Sequence, residues 1–232
     1  MMSRMNASPI IGSLLCMTGL MYGCGSAPPP RSVYQDPVTF VKLQVDPRAD
    51  GGHTHPAAVR SELMSRVLSG IRIEPRSGIL GSMVAGRPER SPAFSAMEIQ
   101  TLAPQLSRAL AQARPEELVT FYRRVSDATV GLAITSGGLF VRGDQLYFVL
   151  ANDRTLPSEG MNQNMVYELD PVDSPLVPIS RTGFRASFEP GAAMVSDRER
   201  HPWQYIDQGR VVVLDLAYLT HEGTPSAPAT PP

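Results

Sequence analysis

The sequence predicts an α+β domain, with two helices packed on a mainly antiparallel sheet of about six to eight strands. Three observations lead there. Apolar residues recur at helical spacing in two places, around Val59–Leu68 and Ile99–Leu110. From Glu117 onward, branched and aromatic residues alternate with polar ones in short runs separated by turn residues. Those runs follow one another with connections too short for a parallel crossover, which favours antiparallel pairing.

The first strand is expected over 38–45, where Val41, Leu43 and Val45 share one face. Asp46 to His55 is polar and glycine-rich and reads as a loop. Thr54 or His55 is a candidate cap for a helix opened by Pro56 and carrying Val59, Leu63, Met64, Val67 and Leu68, with Gly70 at its end. Ile71–Ile73 is a short strand stopped by Pro75, and 77–92 is irregular. Ser95 and Glu98 form a capping box, in which the serine hydroxyl meets an amide of the first turn while the glutamate reaches back. The helix behind it buries Ile99, Leu102, Leu106 and Leu110, and Pro104 should kink it or begin a second segment.

In the second half, strands are expected over 118–125, 129–134, 139–141, 146–150, 165–169, 183–188 and 211–216. Ser136-Gly137-Gly138 reads as a turn, Gly143-Asp144 as a hairpin and Asp207-Gln208-Gly209 as another turn. Arg142-Gly143-Asp144 spells a tripeptide familiar from integrin ligands, but hairpin geometry alone demands glycine and aspartate there. The tail from 220 is rich in Pro, Ala, Ser and Thr and reads as disordered.

A chain of 232 residues with 42% hydrophobic residues is long enough for one substantial core plus tails. Its net charge of -1 gives no long-range pull toward nucleic acid, which is set aside as a partner. Both cysteines, Cys16 and Cys24, lie near the start, so the rest of the chain has no thiol for a disulfide or a thiolate metal site.

The start itself reads as an address. One positive charge at Arg4 precedes a short apolar run from Pro9 to Leu20, and small residues follow, a pattern of secretory signals. Leu20-Met21-Tyr22-Gly23-Cys24 resembles the lipobox of bacterial lipoproteins, with the small Gly23 just before the cysteine. The resemblance covers about the first twenty-six residues. It implies cleavage before Cys24, acyl chains such as palmitate on that cysteine, and stable anchoring in a membrane. Gly25 stands where an aspartate would favour the inner membrane, so the implied location is the outer membrane, facing the periplasm. The resulting division is a signal peptide over 1–23, a proline-rich tether over 24–37, one domain over 38–219 and a tail over 220–232. The mature chain carries 20 basic against 22 acidic side chains.

No catalytic or cofactor motif accompanies this address, so no catalytic residue, cofactor or metal is assigned. His53 and His55 lie two residues apart with Asp46 and Asp50 nearby, but a glycine-rich surround favours a solvated pair over a metal site. Glu98, Glu116, Glu117, Asp170 and Asp173 offer carboxylates without showing that any two face a substrate. The glycines at 78, 81 and 86 are too loosely spaced for a phosphate loop. Arg198, Arg200 and Trp203 combine the residue types of binding hot spots and are the expected contact surface. The leading expectation is therefore a non-enzymatic binding or scaffold factor with an envelope protein partner. The alternatives are a carrier of lipid or another apolar ligand, and an unrecognised hydrolase.

Overall fold

The computed structural model describes residues 28–49, 52–76, 89–127, 131–156, 172–179, 183–195 and 208–221. They form an α+β fold, as the alternation and helical spacing predict. A six-stranded antiparallel sheet has the order β1-β2-β5-β6-β7-β9, with β1 Arg31–Gln35, β2 Thr39–Val45, β5 Glu117–Asp127, β6 Gly131–Arg142, β7 Gln145–Thr155 and β9 Val211–Asp215. A second, three-stranded sheet joins β4 Ser91–Pro92, β3 Ile71–Pro75 and β8 Phe184–Phe188. Among the described residues the α-helices are α1 Ser61–Gly70, α2 Ala96–Gln112 and the short α3 Leu216–His221. The link between β2 and β5 carries α1, β3, β4 and α2, whereas β5-β6-β7 is a meander of neighbours.

The two helical stripes face one side of the large sheet. Leu63, Met64, Val67 and Leu68 of α1 and Leu102, Leu106 and Leu110 of α2 meet Val41, Leu43, Phe121, Leu139, Phe148 and Leu150 of the strands, all buried. Phe94, Phe121 and Phe148 form an aromatic centre with ring centroids 5.7–6.1 Å apart. The opposite face buries a smaller cluster of Leu118, Phe140, Tyr147, Val149 and Val213, packed against Leu176 and Val195.

Several expectations need correction. The Ser136-Gly137-Gly138 turn does not exist, because β6 runs unbroken through it. These glycines answer tertiary crowding instead. A Cβ on Gly137 would strike the Val149 carbonyl and come within 3.0 Å of the Phe121 ring, and one on Gly138 would come within 3.0 Å of Leu176 and the Val119 carbonyl. Pro56 follows a cis peptide and lies outside the helix, which starts at Ser61 with no side-chain cap. Pro104 sits inside a continuous α2, which does not divide there. β1 falls within the stretch read as tether, paired to β2 with a register shift between Ser32 and Tyr34. Its half-exposed residues give little apolar alternation to detect. α3 was also unforeseen from the apolar run that ends β9. The expected strand over 165–169 and the turn at Asp207 lie outside the described residues, as does the disordered-tail expectation beyond His221.

Candidate functional site

Polar side chains collect at the two ends of the large sheet, where strand alternation gives way to connections. At the end where β6 finishes, residues 53–55 dock onto that strand through backbone bonds. The His53 amide donates to the Pro115 carbonyl, the Thr54 amide donates to the Val141 carbonyl, and the Gly143 amide donates to the Thr54 hydroxyl oxygen. The Val141 amide donates to Nε2 of His55 at 3.1 Å. His53 stacks on Phe140 at 4.2 Å between ring centroids, and its Nε2 lies 3.1 Å from the Asp46 carboxylate, both side chains being 3% exposed.

The histidine pair is therefore buried rather than solvated, because backbone bonds pull the loop onto β6 and close it over the rings. Burial, then the neighbouring His53, lowers the His55 pKa to about 4. Its Nδ1 is buried with no hydrogen-bond partner among the described residues, and the nearby backbone of Glu117 and Arg114 opposes the shift only in part. Asp46 and His53 form a pair, His55 serves the strand, and among the described residues no group of three or more such side chains is arranged to hold a metal ion. Asp50 lies outside the described residues.

The opposite end of the sheet holds the larger constellation. Register places Thr39 of β2 beside Arg123 of β5, and Arg123 beside Thr135 of β6. Between β6 and β7 the pairing slips, so that Ile134 faces Thr155 while Ser136 faces Asn152. Asp153 and Arg154 thus oppose the single residue Thr135, a β-bulge that re-aims side chains. Arg154 adopts φ 42°, and its amide donates to the Thr135 hydroxyl oxygen. A left-handed arginine of this kind is a recurrent mark of functional or switch regions.

Glu98 enters from the first turn of α2. The predicted capping box is present: the Glu98 amide donates to Ser95 Oγ, and the Ser95 amide and hydroxyl both donate to Glu98 Oε2. Its carboxylate also draws Arg123 Nε to 3.5 Å and Arg154 Nη2 to 3.7 Å. Arg123 Nη1 donates to Thr39 Oγ1 at 3.3 Å, and Arg154 Nη1 stands 3.5 Å from Asp153 Oδ1. Arg123 Nε and Asp153 Oδ1 are buried with no hydrogen-bond partner among the described residues. Burial pushes the Asp153 carboxyl up to about 6, opposed by Arg154 and reinforced by Glu98. Perturbed carboxyls beside arginines mark candidate functional sites. Sequence singled out Glu98, but Arg123, Asp153 and Arg154 were missed, because only strand register and the bulge bring them together.

Other singled-out residues fall elsewhere. Glu117 accepts a two-pronged contact from Arg31 at 2.7 and 2.9 Å, which holds its carboxyl below the usual range and ties β1 to β5. Asp173 pairs with Lys42 at 3.0 Å, and Glu116 is exposed beside a cleft of about 310 Å³ with Pro28, Pro29 and Arg31. An apolar cleft of about 230 Å³ lies on the sheet face away from the helices, between Val45, Pro47, Leu118 and Pro175–Val177. The space between helices and sheet is occupied by buried core side chains. Cys24, Asp170, Arg198, Arg200 and Trp203 lie outside the described residues. Among the described residues no helix is long and apolar enough to cross a membrane. No family model, curated protein or solved structure matches the chain.

Proposed function

We propose that this chain is an outer-membrane lipoprotein facing the periplasm, anchored through acyl chains on Cys24, whose α+β domain acts as a non-enzymatic binding or scaffold factor for another envelope protein. The observation that carries the reading is the spacing between address and domain. The lipobox-like Leu20–Cys24 ends seven residues before β1 begins at Arg31. Seven residues reach at most about 25 Å, so acylation of Cys24 would hold the domain close to the headgroups. The contact surface in this reading is Arg198, Arg200 and Trp203, supported by their residue chemistry.

Intact-mass analysis of the protein from cells tests the anchor: the expected product begins at Cys24 and carries acyl mass. A bare thiol, or a retained leader, would overturn it. Cys24→Ser should move the protein from the membrane to the soluble periplasmic fraction. Crosslinking in membranes followed by pull-down should enrich one envelope protein reproducibly, and Trp203→Ala should reduce that yield several-fold. Enrichment unchanged by Trp203→Ala would remove those residues from the contact surface.

A second reading, carriage of a small apolar ligand, is favoured by the cleft lined by Leu118, Leu176 and Val177. Its volume lies below that of ordinary drug-sized sites, which ranks it second. Native mass spectrometry of the purified chain tests it, and a mass equal to that of the bare polypeptide would count against it.

A further inference from the structure

The constellation around Glu98 is drawn together but not closed. Its three ion pairs stand at 3.5–3.7 Å, whereas well-formed charge-assisted hydrogen bonds are about 2.7–2.9 Å long. Arg154 explains why. Its guanidinium forks between two carboxylates, with Nη1 toward Asp153 and Nη2 toward Glu98, and reaches neither fully. The bulge and the φ of 42° put it there, since a regular strand would send Asp153 and Arg154 to opposite faces of the sheet.

We propose that Glu98, Arg123, Asp153 and Arg154 form a proton-operated latch on the first turn of α2. With Asp153 ionised, its carboxylate competes with Glu98 for Arg154, and the latch stands half open. When Oδ1 of Asp153 takes a proton from solvent, the competing charge is removed. Arg154 then closes on Glu98, and the neutral carboxyl gains a hydroxyl donor. The charged groups facing Asp153 are Arg154 on its own strand and Glu98 from α2, with Arg123 from β5 behind Glu98. Thr39 and Thr135 supply the uncharged walls from β2 and β6.

The element under control is well placed to respond. Glu98 is both the reciprocal cap of α2 and the target of the two arginines, so the grip on Glu98 and the order of the first turn are one variable. Immediately ahead lie the buried Phe94 in the aromatic centre and Ala93, whose amide donates to the Ile71 carbonyl of β3. Closing the latch therefore tightens the junction of the two sheets. A raised carboxyl pKa places the change near pH 6, within reach of ordinary variation in the surrounding medium.

Amide hydrogen exchange of the full chain, read for residues 96–101 and corrected for the intrinsic pH dependence of exchange, tests the latch. Lowering the pH from 7.5 to 5 should slow exchange of this turn about tenfold relative to the middle of α2. Asp153→Asn, a permanently uncharged stand-in, should give the slow rate at both pH values. Arg154→Gln should give the fast rate at both, and it keeps the test open if the first variant fails to fold. Equal wild-type protection at the two pH values would overturn the proposal, as would a pH response that survives in Arg154→Gln.

Discussion

His55 and Asp153 sit at opposite ends of β6, and their proton-linked effects on stability have opposite signs. In the folded chain His55 is held neutral by burial, with a pKa lowered from 6.5 to about 4, and its Nε2 must stay unprotonated to accept the Val141 amide. The unfolded chain takes up the proton first. The stability His55 contributes is therefore complete above pH 6.5 and lost as the pH falls toward 4, about 3 kcal/mol in all. About 2 kcal/mol of that goes between pH 7 and 5. Asp153 is raised from 3.8 to about 6, so the folded state binds its proton more tightly. Its contribution is complete below pH 3.8 and lost as the pH rises through 6; lowering the pH from 7 to 5 restores about 1 kcal/mol. For these two groups together, the net loss over that interval is only about 0.5 kcal/mol. Urea unfolding at pH 7, 6 and 5 separates them, provided the denaturant slope stays constant. Relative to wild type, His55→Gln should remove the falling component, so its stability rises by about 1 kcal/mol from pH 7 to 5 through Asp153. Asp153→Asn should instead fall by about 2 kcal/mol over the same interval. If either variant kept the wild-type pH slope, the burial argument for that residue would be refuted.

Three further outcomes follow from packing and hydrogen bonding. Gly137→Ala should lower stability by about 1–3 kcal/mol in urea unfolding, because its methyl group would press on the Val149 carbonyl and the Phe121 ring; an unchanged midpoint would show that the β6–β7 pairing yields easily. Ser95→Ala removes the hydroxyl half of the capping box and should cost about 1 kcal/mol by the same assay. Asn152→Ala deprives the Ile179 amide and the Val177 carbonyl of their side-chain partner. It should cost about 1–3 kcal/mol and make 174–179 the first segment cut in limited proteolysis.

Sequence patterns were legible where the controlling forces are local. The Ser95/Glu98 box and the Gly143-Asp144 hairpin are written within four residues each, and both are present. Ser136-Gly137-Gly138 misled because composition cannot distinguish a glycine that turns the chain from one that makes room for a ring. Phe121 and Leu176, which need that room, are far away in sequence. His53 and His55 looked solvated because their burial comes from backbone bonds to Pro115 and Val141. Asp153 and Arg154 lie beyond the strand expected over 146–150 and were not singled out. Nothing in their own segment signals the bulge that turns them both toward Glu98, since a bulge belongs to a pair of strands.

The opposition between His55 and Asp153 also determines where the latch can be seen. Between pH 7 and 5 the two contributions partly cancel in the free energy of global unfolding, so a wild-type denaturation curve reports little of either. They do not cancel locally. His55 acts on the end of β6 that carries Val141, while Asp153 acts on the end that carries Thr135 and, through Glu98, on the start of α2. Acidification should therefore loosen one end of the sheet while it tightens the other, with stability nearly level. If Cys24 is acylated, these ends differ in their surroundings as well. β1 enters the sheet at Arg31, paired with Leu43 on the His55 side, so the tether leads from the acid-loosened end and the Glu98 constellation lies at the far end. Any ligand that gripped the Glu98 end would lose less conformational freedom on binding at pH 5 than at pH 7.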